Sequence, residues 1–146
     1  MAKNKMTTVL LGLGSNINPE IHLMNAALAL KAKFPTASFS SVYQSVAVGM
    51  KGDDFLNACC LLTHDMNAKG LVTWLKALED QHDRDRSKGS WKSRTLDLDV
   101  LMVDGEVVDK DFYKYGHILI PAGELVQCVT SEPHMPALLT QVDITL

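Results

Sequence analysis

The order in which strand-like and helix-like segments alternate is the feature that most restricts the fold of this chain. Apolar and alternating runs predict strands, and apolar residues at helical spacing predict helices. In chain order these segments are a strand at 7–14, a helix at 19–34, strands at 38–48 and 54–66, a helix at 67–82 and a strand at 96–103. Asp104-Gly105 then predicts a hairpin turn into a short strand. The order indicates an α+β fold with a ferredoxin-like βαββαβ core, an antiparallel sheet with helices packed on it and an added C-terminal hairpin.

Composition and net charge limit the class of protein to which this chain can belong. The 146 residues, 47% of them hydrophobic, fit a single domain spanning 1–146 with a proper core. The net charge of -3 gives no basic footprint, so we expect no nucleic-acid partner. Glycines break the apolar run near the amino terminus after a few residues, which is too short for a signal segment or a membrane span. We therefore expect a cytoplasmic protein that binds no membrane, and we also expect it to be a monomer.

The predicted strand "LDLDVLMV" carries a pair of carboxylates. Asp97 and Asp99 are two residues apart, so on a strand they share one face, while Leu96, Leu98 and Val100 take the other. An edge strand with one solvent-exposed face and no bound metal would also produce this pattern. Carboxylates at this spacing can bind Mg²⁺, which takes oxygen ligands and completes its shell with water and substrate phosphates.

All the arginines of the chain lie in one short segment just before this strand. Arg84, Arg86 and Arg94 fall within the eleven residues "RDRSKGSWKSR". A solvated loop is the plain alternative. A guanidinium group, however, can bind two phosphate oxygens at once, and the segment leads directly into the strand that carries the Asp pair. Together they predict a site where Mg²⁺ and arginine neutralise a nucleoside triphosphate.

Several motifs resemble the 6-hydroxymethyl-7,8-dihydropterin pyrophosphokinases of folate biosynthesis. They are "LGLGSN", "SVYQS" with a following Gly, "DFLNA" and above all "RDRSKGSWKSRTLDLDVLM", and the resemblance spans residues 8–109. It implies a ferredoxin-like fold and transfer of the β,γ-pyrophosphoryl group of ATP, the co-substrate, onto the pterin's hydroxymethyl oxygen. It also implies two Mg²⁺ ions.

The same resemblance assigns roles to individual residues. It implies that Asp97 and Asp99 hold the metal ions and that, with Arg84 and Arg94 on the phosphates, they form the catalytic set. The nucleotide side would comprise Glu79, Arg84, Arg86, Trp91 and Arg94. The pterin side would comprise Ser45, Val46, Val48, Gly49, Phe55, Asn57 and Trp91, with Trp91 closing over the site as a lid.

The carboxyl-terminal part departs from the family pattern of a Pro-His pair, an arginine and a stacking aromatic. If Pro121 is the matching proline, the histidine position holds Ala122, the arginine position Cys128 and the aromatic position Thr130. This predicts weak ATP binding. Two other functions therefore stay open: a diverged paralogue that binds pterin or nucleotide in a regulatory role, and a magnesium phosphohydrolase acting on another nucleotide.

Overall fold

The structure is a computed structural model that describes residues 6–45, 55–82, 96–109, 116–126 and 140–146. The chain forms a mixed fold of strands and helices in these ranges. In order, the elements are β1 (Thr7–Ser15), α1 (Pro19–Lys33), β2 (Ser38–Phe39), β3 (Val42–Ser45), β4 (Phe55–His64), α2 (Ala68–Gln81), β5 (Asp97–Val103), β6 (Glu106–Val107), α3 (Gly116–Leu125) and β7 (Thr140–Val142).

The strands form one antiparallel sheet in the order β6-β5-β1-β4-β3-β7, and β2 also pairs with β4. Its central part, β5-β1-β4-β3, is the arrangement expected for a ferredoxin-like core. The hairpin between β5 and β6 turns at Asp104 (φ 48°) and Gly105 (φ 84°). Two successive positive φ angles are typical of the tight turn that Asp-Gly favours. The predicted fold class is confirmed.

Helices α1 and α2 pack on one face of the sheet. Helix α1 buries Leu23, Ala26 and Leu30 against it. Helix α2 begins where the sequence predicts, because the Asn67 side chain accepts a hydrogen bond from Gly70 N at 2.6 Å and caps the first turn. Buried apolar residues from β1, β4 and β5 meet the helices, and this layer forms the main core.

Helix α3 packs on the opposite face, over the half of the sheet near Leu10, Cys59 and Leu101. Leu101 is an extra residue in β5, because the pairing with β1 shifts between Leu10 and Leu11. A Cβ added to Gly12 would lie 3.2 Å from Leu101 Cδ1. Gly12 therefore leaves the space that Leu101 fills.

Two predicted boundaries differ from the structure. The run at 38–48 is divided into β2 and β3, and residues 46–48 lie outside the described ranges. Between them the Ser40 hydroxyl accepts a hydrogen bond from Cys59 N at 2.8 Å, so a side chain replaces a regular ladder bond. Helix α3 and strand β7 were not predicted. Pro121 lies inside α3, and an internal proline argues against a helix in a sequence.

Candidate active site

The half of the sheet that α3 leaves uncovered carries a row of polar side chains. Gly14 of β1 pairs with Asn57 of β4 on one side and with Asp97 of β5 on the other. Directly opposed residues of neighbouring strands point to the same face. Asn57 and Asp97 therefore flank Gly14 on one surface, about 10 Å apart across two strand spacings.

The Asn57 amide is held by two groups of β3. Its Nδ2 donates to Ser45 Oγ at 2.7 Å and makes a longer contact of 3.4 Å with Tyr43 O. Asn57 and Ser45 are both buried. A Cβ placed on Gly14 would lie 3.6 Å from Asn57 Oδ1. The amide nitrogen thus points towards β3, and the carbonyl oxygen lies on the Gly14 side of Asn57.

Asp97 and Asp99 lie together, as the sequence predicts, with Leu98 between them in the core. The two carboxyl groups are close enough to interact directly. Loss of hydration, followed by repulsion from Asp97, raises the pKa of Asp99 from 3.8 to about 7. Asp109 and Glu79 add to the repulsion. Although most of the Asp99 carboxyl group has lost its hydration, part of the residue is still exposed, so a cation can reach the pair.

The donor set fits a hard divalent cation. Two crowded carboxylates favour an ion that removes their repulsion, and carboxylate oxygen is the ligand type that Mg²⁺ takes. Within the described ranges, no group of three or more His, Cys, Asp or Glu side chains is arranged to hold a metal ion. A site with two carboxylates suits Mg²⁺, which commonly keeps waters and substrate phosphates in its remaining positions.

Glu79 supports the strand that carries this pair. It lies in the last turn of α2 and is only 3% exposed. Its Oε2 accepts a hydrogen bond from Leu98 N at 2.8 Å. The buried carboxylate therefore binds the backbone between the two aspartates, and the direct contact with ATP expected from the sequence stays a prediction.

Glu124 of α3 joins the helix to β3 beside the row of Asn57, Gly14 and Asp97, which we call the cleft. Its carboxylate accepts hydrogen bonds from Ser41 N at 2.9 Å and from the Tyr43 hydroxyl. The bond to Glu124 raises the pKa of Tyr43 to about 12. Partial burial opposes ionisation of Glu124, but the hydrogen bonds from Tyr43 and Ser41 outweigh it and hold its pKa below the usual value. This link fixes the edge of α3 next to the cleft.

The structure describes only part of the predicted site. Ser45, Phe55, Asn57, Glu79, Asp97 and Asp99 lie in the described ranges, whereas Arg84, Arg86, Arg94, Trp91, Val46, Val48 and Gly49 lie outside them. Among the described set, β3, β4 and β5 bring Ser45, Asn57 and the Asp pair to one part of the sheet.

The two residues that the predicted carboxyl-terminal match assigns to the Pro-His pair, Pro121 and Ala122, lie inside a helix. Pro121 lies within α3, and Ala122 is completely buried against Leu10, Cys59 and Leu101. A side chain at position 122 therefore faces the α3–sheet interface and cannot stand for a phosphate-binding histidine. Cys128 and Thr130 lie outside the described residues.

Gly14 is a candidate site residue that sequence reasoning did not single out. The strand predicted at 7–14 contains both Gly12 and Gly14, and in β1 they face the α3 side of the sheet. Two glycines at a spacing of two residues in a strand mark one face without side chains. That spacing was the available signal.

Comparison with known proteins identifies the family. A model of the family described as 7,8-dihydro-6-hydroxymethylpterin-pyrophosphokinase (HPPK) matches residues 10–127. The chain belongs to the HPPK family. Several curated proteins named 2-amino-4-hydroxy-6-hydroxymethyldihydropteridine pyrophosphokinase are similar to it.

Three of these HPPK relatives show the extent of the similarity. The Haemophilus influenzae protein is 29% identical over 110 residues, covering 73% of this chain and 68% of its own. The Aquifex aeolicus protein is 30% identical over 114 residues, covering 77% and 71%. The Pseudomonas putida protein is 32% identical over 109 residues, covering 73% and 90%. In the part of this chain that the structure describes, no helix is long and apolar enough to cross a membrane.

Proposed function

We propose that the chain transfers pyrophosphate from ATP to 6-hydroxymethyl-7,8-dihydropterin in folate synthesis and that the transfer depends on Mg²⁺. Membership of the HPPK family and the names of the similar proteins support the reaction. The Mg²⁺ requirement rests on the chemistry of Asp97 and Asp99.

The observation that carries the proposal is the row formed by Asn57, Gly14 and Asp97. It places an amide suited to a heterocycle edge and a carboxylate pair suited to metal-bound phosphates on one face, about 10 Å apart. The pterin ring is proposed to lie along this row, with its hydroxymethyl arm directed towards the phosphates. If the two substrates bind side by side along this row, their reacting groups are held close together.

The reaction forms a bond between the hydroxymethyl oxygen and the β-phosphorus of ATP, and it breaks the bond between that phosphorus and the α–β bridging oxygen. AMP leaves with the bridging oxygen, and the hydroxyl proton is released. Bound Mg²⁺ would neutralise the triphosphate charge that otherwise opposes attack. Asn57 and Ser45 would orient the pterin, and Asp97 and Asp99 would hold the metal. Positioning and charge compensation are the main contributions in such transfers.

The residues outside the described ranges complete the proposal from their sequence matches alone. Arg84 and Arg94 are proposed to bind the phosphates, with Arg86 beside them. Trp91 is proposed to close over both substrates, and the segment containing Val46, Val48 and Gly49 to line the pterin pocket.

The regulatory paralogue is the competing function, and its main argument is weakened. It rested on the loss of two phosphate-binding side chains, at positions 122 and 128. Ala122 is buried in the core beneath α3, so it does not mark a lost contact with ATP. We therefore retain the enzyme as the proposed function.

A calorimetric titration tests the proposal. A non-hydrolysable ATP analogue and 6-hydroxymethylpterin would be added in both orders, with and without Mg²⁺. The proposal predicts that both ligands bind and that the analogue requires Mg²⁺ for tight binding, with Asp97→Asn as the matched variant that loses the Mg²⁺ effect. Binding of pterin without any Mg²⁺-dependent nucleotide binding would favour the paralogue.

A further inference from the structure

The backbone between Asp97 and Asp99 is held by a residue outside the cleft. β5 pairs with β1 through Asp97, Leu98 and Asp99, and β6 pairs with β5 only at its other end, at Met102 and Val103. Leu98 N donates instead to Glu79 Oε2 at 2.8 Å, in a buried position. Within the described residues, this end of β5 thus pairs with β1 on one side and is bound to α2 through the Glu79 carboxylate.

We infer that Glu79 is a positioning residue for the metal-binding carboxylates: by holding the Leu98 peptide it sets the direction in which Asp97 and Asp99 leave the strand. This inference rests on the proposed function. The Leu98 N–H lies in the peptide plane that joins Asp97 to Leu98, so rotation of this plane would turn the Asp97 side chain directly and would shift Asp99 through the Leu98 backbone. Charge-assisted bonds to a backbone N–H are strong and directional, and supporting partners of this kind commonly tune metal affinity.

The burial of Glu79 argues for a geometric role. At 3% exposed, its carboxylate has little contact with solvent, and it lies close enough to Asp99 to add to the repulsion on that carboxyl group. Burying an acidic side chain costs free energy unless the side chain is hydrogen-bonded. The Leu98 N–H at this strand edge needs only a hydrogen-bond acceptor, which a neutral side chain could supply. The acceptor oxygen, rather than the charge, should therefore carry the positioning effect.

Glu79→Gln and Glu79→Leu separate these contributions. Gln keeps the length and an acceptor oxygen, whereas Leu keeps the approximate volume and removes the acceptor. Asp80→Asn, on the next residue of α2 and exposed, is the control for removing one negative charge from the same turn. If Glu79→Leu does not fold, Glu79→Asp replaces it, because the shorter side chain cannot reach Leu98 from the same backbone position.

Two readouts follow the inference without using turnover. The first is hydrogen exchange at the Leu98 amide in the metal-free protein. The second is Mn²⁺ binding, measured by electron paramagnetic resonance in the presence of a non-hydrolysable ATP analogue. Glu79→Leu should speed exchange at Leu98 and weaken Mn²⁺ binding by about tenfold or more. Glu79→Gln and Asp80→Asn should stay close to the parent in both.

Three results would overturn the inference. If Glu79→Leu lowers the melting temperature but leaves Mn²⁺ affinity unchanged, Glu79 has only a structural role. If Glu79→Gln weakens binding of the ATP analogue in the absence of metal while Leu98 stays protected, Glu79 binds nucleotide. If exchange at Leu98 is equally slow in every variant, the hydrogen bond does not hold the strand. A protein that binds Mn²⁺ in this Glu79-dependent way but forms no AMP would refute the proposed function and leave the positioning role standing.

Discussion

Replacing Gly14 with alanine should separate folding from ligand binding. A Cβ at this position would lie 3.6 Å from Asn57 Oδ1 and 3.9 Å from Leu56 O and Phe55 Cδ1. These are ordinary contact distances, so the methyl group fits the folded chain. Because alanine loses less backbone freedom than glycine on folding, Gly14→Ala should stabilise the strand by about 0.5–1 kcal/mol.

The same methyl group should obstruct the pterin. It would stand about 1.5 Å above the Gly14 Cα, a single-bond length, in the space between Asn57 and Asp97. A flat ring lying over this position would be lifted out of line with the Asn57 amide. We expect pterin affinity to fall by about tenfold or more, which corresponds to about 1.4 kcal/mol, and turnover to fall further because the attacking oxygen is displaced.

Gly12→Ala is the matched control, since the same substitution two residues earlier faces Leu101. There the added Cβ would lie 3.2 Å from Leu101 Cδ1, so the core must shift to accept it. Thermal unfolding and calorimetry with 6-hydroxymethylpterin should separate the two variants. Gly12→Ala should have lower stability and unchanged pterin affinity. Gly14→Ala should have higher stability and lower pterin affinity. If Gly14→Ala folds normally and binds pterin like the parent, the ring does not lie over Gly14.

Three further predictions follow from the contacts around the cleft. Because the pKa of Asp99 is raised from 3.8 to about 7 in the folded state, the metal-free protein should lose stability as pH rises from about 4 to 7, and urea unfolding of Asp99→Asn should show a flatter dependence. Ala122→His should destabilise the protein by about 1–3 kcal/mol through overpacking beneath α3, and calorimetry should show no gain in ATP affinity. Tyr43→Phe removes one hydrogen bond to Glu124 and should lower the free energy of unfolding by about 1 kcal/mol, since the contact is exposed; a loss above 3 kcal/mol would mean that this bond alone holds α3 in place.

The sequence was informative where one physical pattern dominates. Helices α1 and α2 follow from apolar residues at helical spacing, and Asn67 marks the start of α2 through its cap. The shared face of Asp97 and Asp99 follows from strand geometry, and the packing of Leu98 on the other face follows with it. In each case local propensity and tertiary packing favour the same structure.

Other parts depended on contacts that are distant in the sequence. Helix α3 contains Pro121 and forms because its apolar side packs on Cys59 and Leu101, a tertiary effect that propensity does not contain. The burial of Ala122 beneath α3 could not be foreseen for the same reason, since it depends on where that helix packs. The bond from Leu98 to Glu79 joins residues nineteen positions apart, and no spacing rule points to it.

Product analysis of the complete reaction tests the central claim most directly. The parent protein and the variants Asp97→Ala and Asp99→Ala would each be incubated with ATP, 6-hydroxymethyl-7,8-dihydropterin and Mg²⁺. The nucleotide and pterin products would then be separated and identified and quantified by mass spectrometry. The account predicts AMP and pterin diphosphate in equal amounts from the parent, no product when Mg²⁺ is chelated, and loss of turnover in both variants while their folds remain intact. Release of ADP or free phosphate in place of AMP, or unchanged turnover by both variants at saturating Mg²⁺, would contradict it.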